Sequence, residues 1–246
     1  MIRKLLLAGL VLLAAAVAGT YVLVHESGNA TPATAPARVE ATLAPGVLPR
    51  PGVYVYAQTG YERAKLGPLA IRRAFPSQAL LVVTGSGHVV QTEWRYSKQH
   101  LEASRVRVTP TGSYTLWQRT RLQLIVVDDE AHPTVPVTLS LPARPHVGQA
   151  WTQRYSVNGV STVSRNKIVS RTVVERKPVF VETADSVVTG AHPGTERDVD
   201  WIDLATGLDL RETIDRRVSG AFPYEMHVDV RFLRKRRPWN TSRVEP

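Results

Sequence analysis

"DVDWIDLATGLDLR", residues 198–211, places aspartates at 198, 200, 203 and 209 among apolar residues and one Thr-Gly turn signal. If the acids converge, the stretch is a metal or catalytic loop; if they alternate with the apolar residues, it is a β-hairpin. An EF-hand calcium loop needs oxygen ligands at positions 1, 3 and 5, glycine at 6 and a bidentate glutamate at 12. Counted from Asp198, position 5 is Ile202, position 6 is Asp203 and position 12 is Asp209, so the pattern is met only in part. Alternation accounts for the same residues better. Val199 and Trp201 fall on one face and Asp198 and Asp200 on the other, and after the Leu204-Ala205-Thr206-Gly207 turn Leu208, Leu210 and Ile214 continue the apolar side. With Asp203 opposite Leu208, Trp201 is expected to face Leu210 in the core and Asp200 to face Arg211 in water, a cross-strand pair worth about 0.2–1 kcal/mol.

The sequence on either side repeats the hairpin pattern. From residue 52 onward, short runs of β-branched and aromatic residues are separated by Gly, Pro and Asn turns, with almost nothing at helical spacing. "GVYVY" (52–56), "ALLVVT" (79–84), "HVVQTEWRY" (88–96), "SYTLWQR" (113–119), "RLQLIVV" (121–127), "TVPVTLSL" (134–141) and "YEMHVDVRFL" (224–233) read as strands. "WTQRYSV" meets "VSTVS" across Asn158-Gly159, a strong hairpin signal. The connections are too short for parallel crossovers, so the expected class is mostly β, about ten antiparallel strands or more. Residues 97–104 leave room for one short helix.

The chain opens with MIRK and then runs uncharged from Leu5 to Val24, about 30 Å if helical, enough to cross a bilayer. Arg3 and Lys4 precede this segment, so residues 1–24 are expected to be a signal anchor with everything after Val24 outside the cytoplasm. Ala16-Val17-Ala18 also resembles a signal-peptidase site, which leaves secretion after cleavage near Ala18 as the alternative. Residues 25–51, rich in Pro, Ala and Thr, read as a linker, residues 52–233 as the extracytoplasmic domain and residues 234–246 as a basic tail. The chain has no cysteine, which excludes disulfides, thiolate zinc sites and a lipoprotein cysteine.

Trp201, Thr206-Gly207-Leu208 and Arg211 together resemble the late hairpin of poorly characterised bacterial extracytoplasmic β-proteins, over residues 198–218. Some of those share the curved sheet of lipoprotein carriers and mycobacterial lipid-binding lipoproteins. The resemblance implies a curved sheet or half-barrel with an apolar concavity, and it transfers no functional residue.

Other constellations are weaker. Asp128, Asp129, Glu130 and His132 gather between two strands, a set suited to a hard divalent cation or simply to solvent. His227 and Asp229 alternate with apolar residues and share a face, as a two-ligand metal site or the wet side of a sheet. Ser86 and His88 lie close together but lack the strand-to-helix elbow a serine nucleophile needs. From Arg231 onward six basic residues stand against Glu245, half of the formal net charge of +10. Outside the cytoplasm, Arg234, Lys235, Arg236 and Arg237 suit anionic headgroups or wall polymers rather than nucleic acid. The functional expectation is a non-enzymatic binding module without a cofactor. It binds a lipid-like ligand in its concavity, or it serves as an envelope interaction module binding a protein or an anionic wall polymer through its surface.

Overall fold

The computed structural model describes residues 28–66, 69–124, 127–130, 137–157, 160–190, 192–220 and 223–236. The expected N-terminal membrane helix, His132 and Arg237 lie outside these residues. Every element among the described residues is a strand. The first eight are β1 (Gly28–Asn29), β2 (Ala41–Leu43), β3 (Gly52–Leu66), β4 (Leu69–Ala74), β5 (Gln78–Gly87), β6 (Val89–Arg95), β7 (His100–Thr109) and β8 (Gly112–Leu124). They are followed by β9 (Val127–Glu130), β10 (Thr138–Pro142), β11 (Ala150–Val157), β12 (Val160–Val174), β13 (Lys177–Thr189), β14 (Gly194–Asp203), β15 (Leu208–Val218) and β16 (Tyr224–Lys235).

All sixteen strands belong to one sheet, whose path runs β10-β8-β7-β6-β5-β3-β16-β15-β14-β13-β12-β11 with every neighbour on that path antiparallel. Short β1 and β2 are the exceptions to antiparallel pairing, lying parallel to β4 and β5. The path curls until its two ends meet: Gln153 Nε2 on β11 donates to the Leu139 carbonyl on β10 at 2.8 Å. The result is a nearly closed barrel. The mostly antiparallel β expectation holds, while residues 97–104, where a short helix was possible, form a turn and the start of β7. Two readings change in extent: "VSTVS" is only the start of β12, which runs on to Val174, and Arg121–Leu124, read as part of a separate strand, ends β8.

Strand β3 connects the two halves of the barrel. Residues 52–57 pair with β5 and residues 61–66 with β4 on one edge, while the other edge pairs with β16 throughout. The change of partner happens at Gly60, whose φ of +136° suits glycine, and a Cβ there would lie 2.0 Å from the His227 carbonyl oxygen.

The residues read as a linker are extended, but from Gly28 they are laid on the barrel. Ala33, Ala35 and Val39 pack on the outer face against Val53, Val55, Leu80 and Val82, and Ala30 and Val47 are buried. Inside, Tyr54, Tyr56, Leu81, Val83, Tyr96, Ile214, Met226, Val228 and Val230 form the main apolar core. This core fills the side of the barrel built on β3, β5 and β16, and leaves the β11–β15 wall to other chemistry.

The 198–211 hairpin forms as β14 and β15, with Asp203 opposite Leu208 as the turn dictates. A β-bulge then inserts Leu210, so Trp201 pairs with Arg211 and Asp200 with Glu212. The expected pairs Trp201 with Leu210 and Asp200 with Arg211 are therefore displaced by one residue. On β14 the two faces are also exchanged, whereas Leu208 and Ile214 on β15 lie in the core as expected. Trp201 lies on the outer face beneath the Arg211 guanidinium, 4.8 Å from its ring centroid, and Arg211 is tied to Asp229. Asp198 sits opposite core residue Ile214 and therefore points into the barrel, as does Asp200.

Candidate functional site: a polar barrel interior

Register places an acid on the interior face of three successive strands. Glu182 on β13 is opposite Asp200 on β14, which is opposite Glu212 on β15. Asp198 lies one interior position along β14, and Asp209 precedes the bulge on β15. Like charges directly across a ladder repel, and burial adds the cost of stripping water from each. The proton uptake follows. Burial, and then the Asp209 charge, raise the Glu182 carboxyl to about 8, and burial raises Asp209 to about 7. Burial and neighbouring carboxylates hold Asp198, Asp200 and Glu212 well above the ordinary range.

These groups are under-bonded. Glu182 is 7% exposed and has no hydrogen-bond or ionic partner among the described residues. Asp198 Oδ1 and Glu212 Oε2 are buried without a hydrogen-bond partner among those residues, and so are the hydroxyls of Tyr56 and Tyr96. Both tyrosines are fully buried, with Glu212 among the charges that raise each phenol after burial itself.

Beside this acidic row, an alternating string of charges crosses the interior. Arg73 Nη2 on β4 lies 2.7 Å from Glu62 Oε1 on β3. His100 on β7 sits between two carboxylates, Nδ1 3.2 Å from Glu62 Oε2 and Nε2 3.0 Å from Glu102 Oε1. Arg216 on β15 donates from Nη1 to Glu102 Oε1 at 2.7 Å and from Nε to Glu196 on β14. Burial alone would discharge His100, but Glu102 and Glu62 outweigh it and raise its pKa, so both ring nitrogens donate. Burial would likewise raise Glu102 and Glu62. Arg216 and His100 outweigh it at Glu102, and His100 and Arg73 at Glu62, so both stay below the usual carboxylate range. Three cations alternate with three anions, and the string is neutral.

A cavity of about 340 Å³ opens between the β6–β8 wall and the β11–β15 wall, with Trp94, Glu102, Tyr155, Thr162, Ser186 and Arg216 in its lining. Burial and the Glu196 charge push the Tyr155 phenol up to about 12, so it remains a neutral donor. The acidic row lies four ladder pairs, or two interior positions, along β14 and β15 from the Glu196–Arg216 pair in this lining.

The residues expected from sequence are arranged otherwise. Ser86 Oγ accepts from Thr42 at 3.3 Å. His227 Nδ1 lies 2.7 Å from Asp215, and Asp229 is held by Arg211 and Arg231, so the pair forms part of the outer, wet face. Asp128, Asp129 and Glu130 belong to β9, a strand rather than the expected loop. Among the described residues, no group of three or more His, Asp or Glu is disposed to hold a metal ion. Arg234 and Lys235 extend β16, and Arg236 follows it; all three are exposed. Lys235 Nζ donates to the Pro51 carbonyl at 2.7 Å and sits over the Tyr54 ring.

The interior acids Glu182 and Glu212 and the Arg73–Glu196 string did not emerge from the sequence. One signal was available: Glu182 directly follows the apolar run "PVFV", residues 178–181. Protein-family models, curated proteins and solved structures yield no match to this chain.

Proposed function

We propose that the chain is a non-enzymatic binding module, held outside the cytoplasm by its N-terminal segment, that takes a small polar ligand into the barrel. The observation that supports this most is the unsatisfied interior: carboxyl oxygens and phenol hydroxyls are buried without partners among the described residues, and the same interior holds a cavity of about 340 Å³ whose lining includes Trp94 and Glu196. Each such group costs on the order of 1–3 kcal/mol relative to a hydrogen-bonded one, and apolar replacements of the same volume would remove that cost. A barrel serving only as a scaffold gains nothing from keeping them.

A lipid tail suits this interior poorly, because it would leave the same oxygens unpaired while adding apolar surface against them. The implied apolar concavity is occupied by the protein's own tyrosines, valines and Met226. The surface alternative, an envelope interaction module, keeps one observation in its favour: Arg234, Lys235 and Arg236 are exposed at the end of β16.

Native mass spectrometry of the full chain purified from cells tests the reading. A small molecule should accompany the chain and be lost when Ser186, a buried residue in the cavity wall, is replaced by Phe. A chain that carries nothing, or a Ser186→Phe variant that carries the same molecule, would refute it.

A further inference from the structure

We infer that the interior row Glu182, Asp200 and Glu212 seats an organic polyamine, bound as an extended chain of ammonium groups. This deepens the proposed function and rests on the barrel interior being a ligand compartment. Three arguments lead to it.

The first is geometric. The three carboxyls occupy directly opposed positions on neighbouring strands, so the row spans two interstrand spacings, about 10 Å. A metal ion draws its donors to a single point, within about 2.0–2.6 Å. No such convergence exists among the described residues. A line of acids instead matches a line of cations, each ammonium bringing three N–H donors.

The second observation does not depend on the acids. The Tyr56 and Tyr96 hydroxyls are buried and unpartnered, and both lie within electrostatic reach of Glu212. Phenol oxygens accept from ammonium groups, and aromatic rings attract cations. These tyrosines connect to the cavity wall through Trp94: Tyr96 stacks on it at 5.7 Å between centroids, and Tyr56 meets it edge-on at 4.6 Å.

The third argument is charge. Arg216, which with Arg119 lines the neighbouring cavity, is shared with Glu102 and Glu196, and its pull on Glu212 and Asp198 is too weak to offset their burial and mutual crowding. A neutral polyol could satisfy hydrogen bonds to the protonated row but offers no charge to take the place of its protons. A polycation supplies both the donors and the counter-charge that lets the carboxyls ionise.

Burial and crowding keep the empty row largely protonated near neutral pH. A bound cation stabilises the ionised carboxylates, so binding must expel protons, and affinity must rise with pH until the amines themselves discharge near pH 10.

Isothermal titration of the full chain with spermidine and with 1,4-diaminobutane tests this, with magnesium and calcium chloride as comparison titrants. Expected are saturable binding, spermidine the tighter, proton release seen as a heat that varies with buffer ionisation enthalpy, and greater affinity at pH 8 than at pH 6. The Asp200→Asn/Glu212→Gln double variant should lose at least about ten-fold in affinity, about 1.4 kcal/mol. If that variant fails to fold, Glu182→Gln, which removes one repelling charge, serves instead and should also weaken spermidine. Absence of saturable amine binding, unchanged affinity in the variants, affinity that falls with pH, or binding of the divalent cations in preference to the amines would overturn the inference. A co-purifying neutral molecule displaced by Ser186→Phe, with no amine binding, would remove the polyamine and leave the ligand compartment standing; loss of both would remove the compartment as well.

Discussion

Replacing Glu182 by Gln keeps the side chain's shape and removes its proton equilibrium, which makes it the sharpest probe of the barrel interior. The folded-state pKa is about 8 against an ordinary 4.5. Between those values the folded chain holds a proton that the unfolded chain has released, so stability falls as pH rises, by about 1.4 kcal/mol per pH unit. The penalty is absent below about pH 4.5, reaches about 2 kcal/mol at pH 6, and is complete at about 5 kcal/mol above pH 8. Gln carries none of it. The variant should therefore be more stable than the parent, by about 2 kcal/mol at pH 6 and by about 5 kcal/mol at pH 9, with the two converging near pH 4. Urea denaturation at those three pH values measures the difference directly. A pH-independent difference, or a variant less stable than the parent at pH 9, would refute the claim that Glu182 is buried without a counter-charge.

The other perturbations probe different parts of the barrel. Arg216→Met leaves Glu102 and Glu196 without their shared cation and should cost about 3–5 kcal/mol at pH 7. Glu102 is held below the ordinary range, so its contribution is present above about pH 4.5 and lost in acid; the Arg216→Met penalty should shrink at pH 4 in the same denaturation assay. Gly60→Ala drives a Cβ against the His227 carbonyl and should cost at least about 2 kcal/mol; an unchanged melting temperature would disprove the close approach of β3 and β16. A chain beginning at Gly28 should bind anionic vesicles at low salt and release them near 0.5 M salt, and changing Arg234, Lys235, Arg236 and Arg237 to Ser should abolish that binding at a stability cost of about 1 kcal/mol or less. Undiminished vesicle sedimentation by the quadruple variant would assign the tail no membrane role.

The alternation of residues 198–211 made the hairpin legible, and its turn fixed Asp203 opposite Leu208. Alternation separates two faces but does not say which one is inside. The usual assumption, apolar residues inward, holds for Leu208 and Ile214 on β15 but fails on β14, where Trp201 is covered by Arg211 on the outer face while Asp198 and Asp200 line the interior. The bulge at Leu210 was equally silent, since one unpaired residue between Asp209 and Arg211 leaves no compositional trace. The charge string was hidden for another reason. Glu62 and Arg73 face each other across the β3–β4 hairpin, but His100 on β7 and Arg216 on β15 are far away along the chain and join them only across the interior of the curled sheet. The packed segment from Gly28 to Val47 looked like a stalk because it buries small residues, Ala30, Ala33 and Ala35, which carry no periodic signal.

The double engagement of β3 also sets the order in which the protein can be completed. Its partner β16 is the last strand of the sheet, so Tyr61 waits for His227 and the intervening walls before one edge of β3 is covered. During synthesis, residues 52–66 emerge well before β16 and hold an open row of amide and carbonyl groups until the final strand follows. Such an edge invites pairing with another chain, and closure over so long a separation is slow. A barrel wired in this way is most vulnerable to mispairing in the interval between the arrival of its first wall strand and its last.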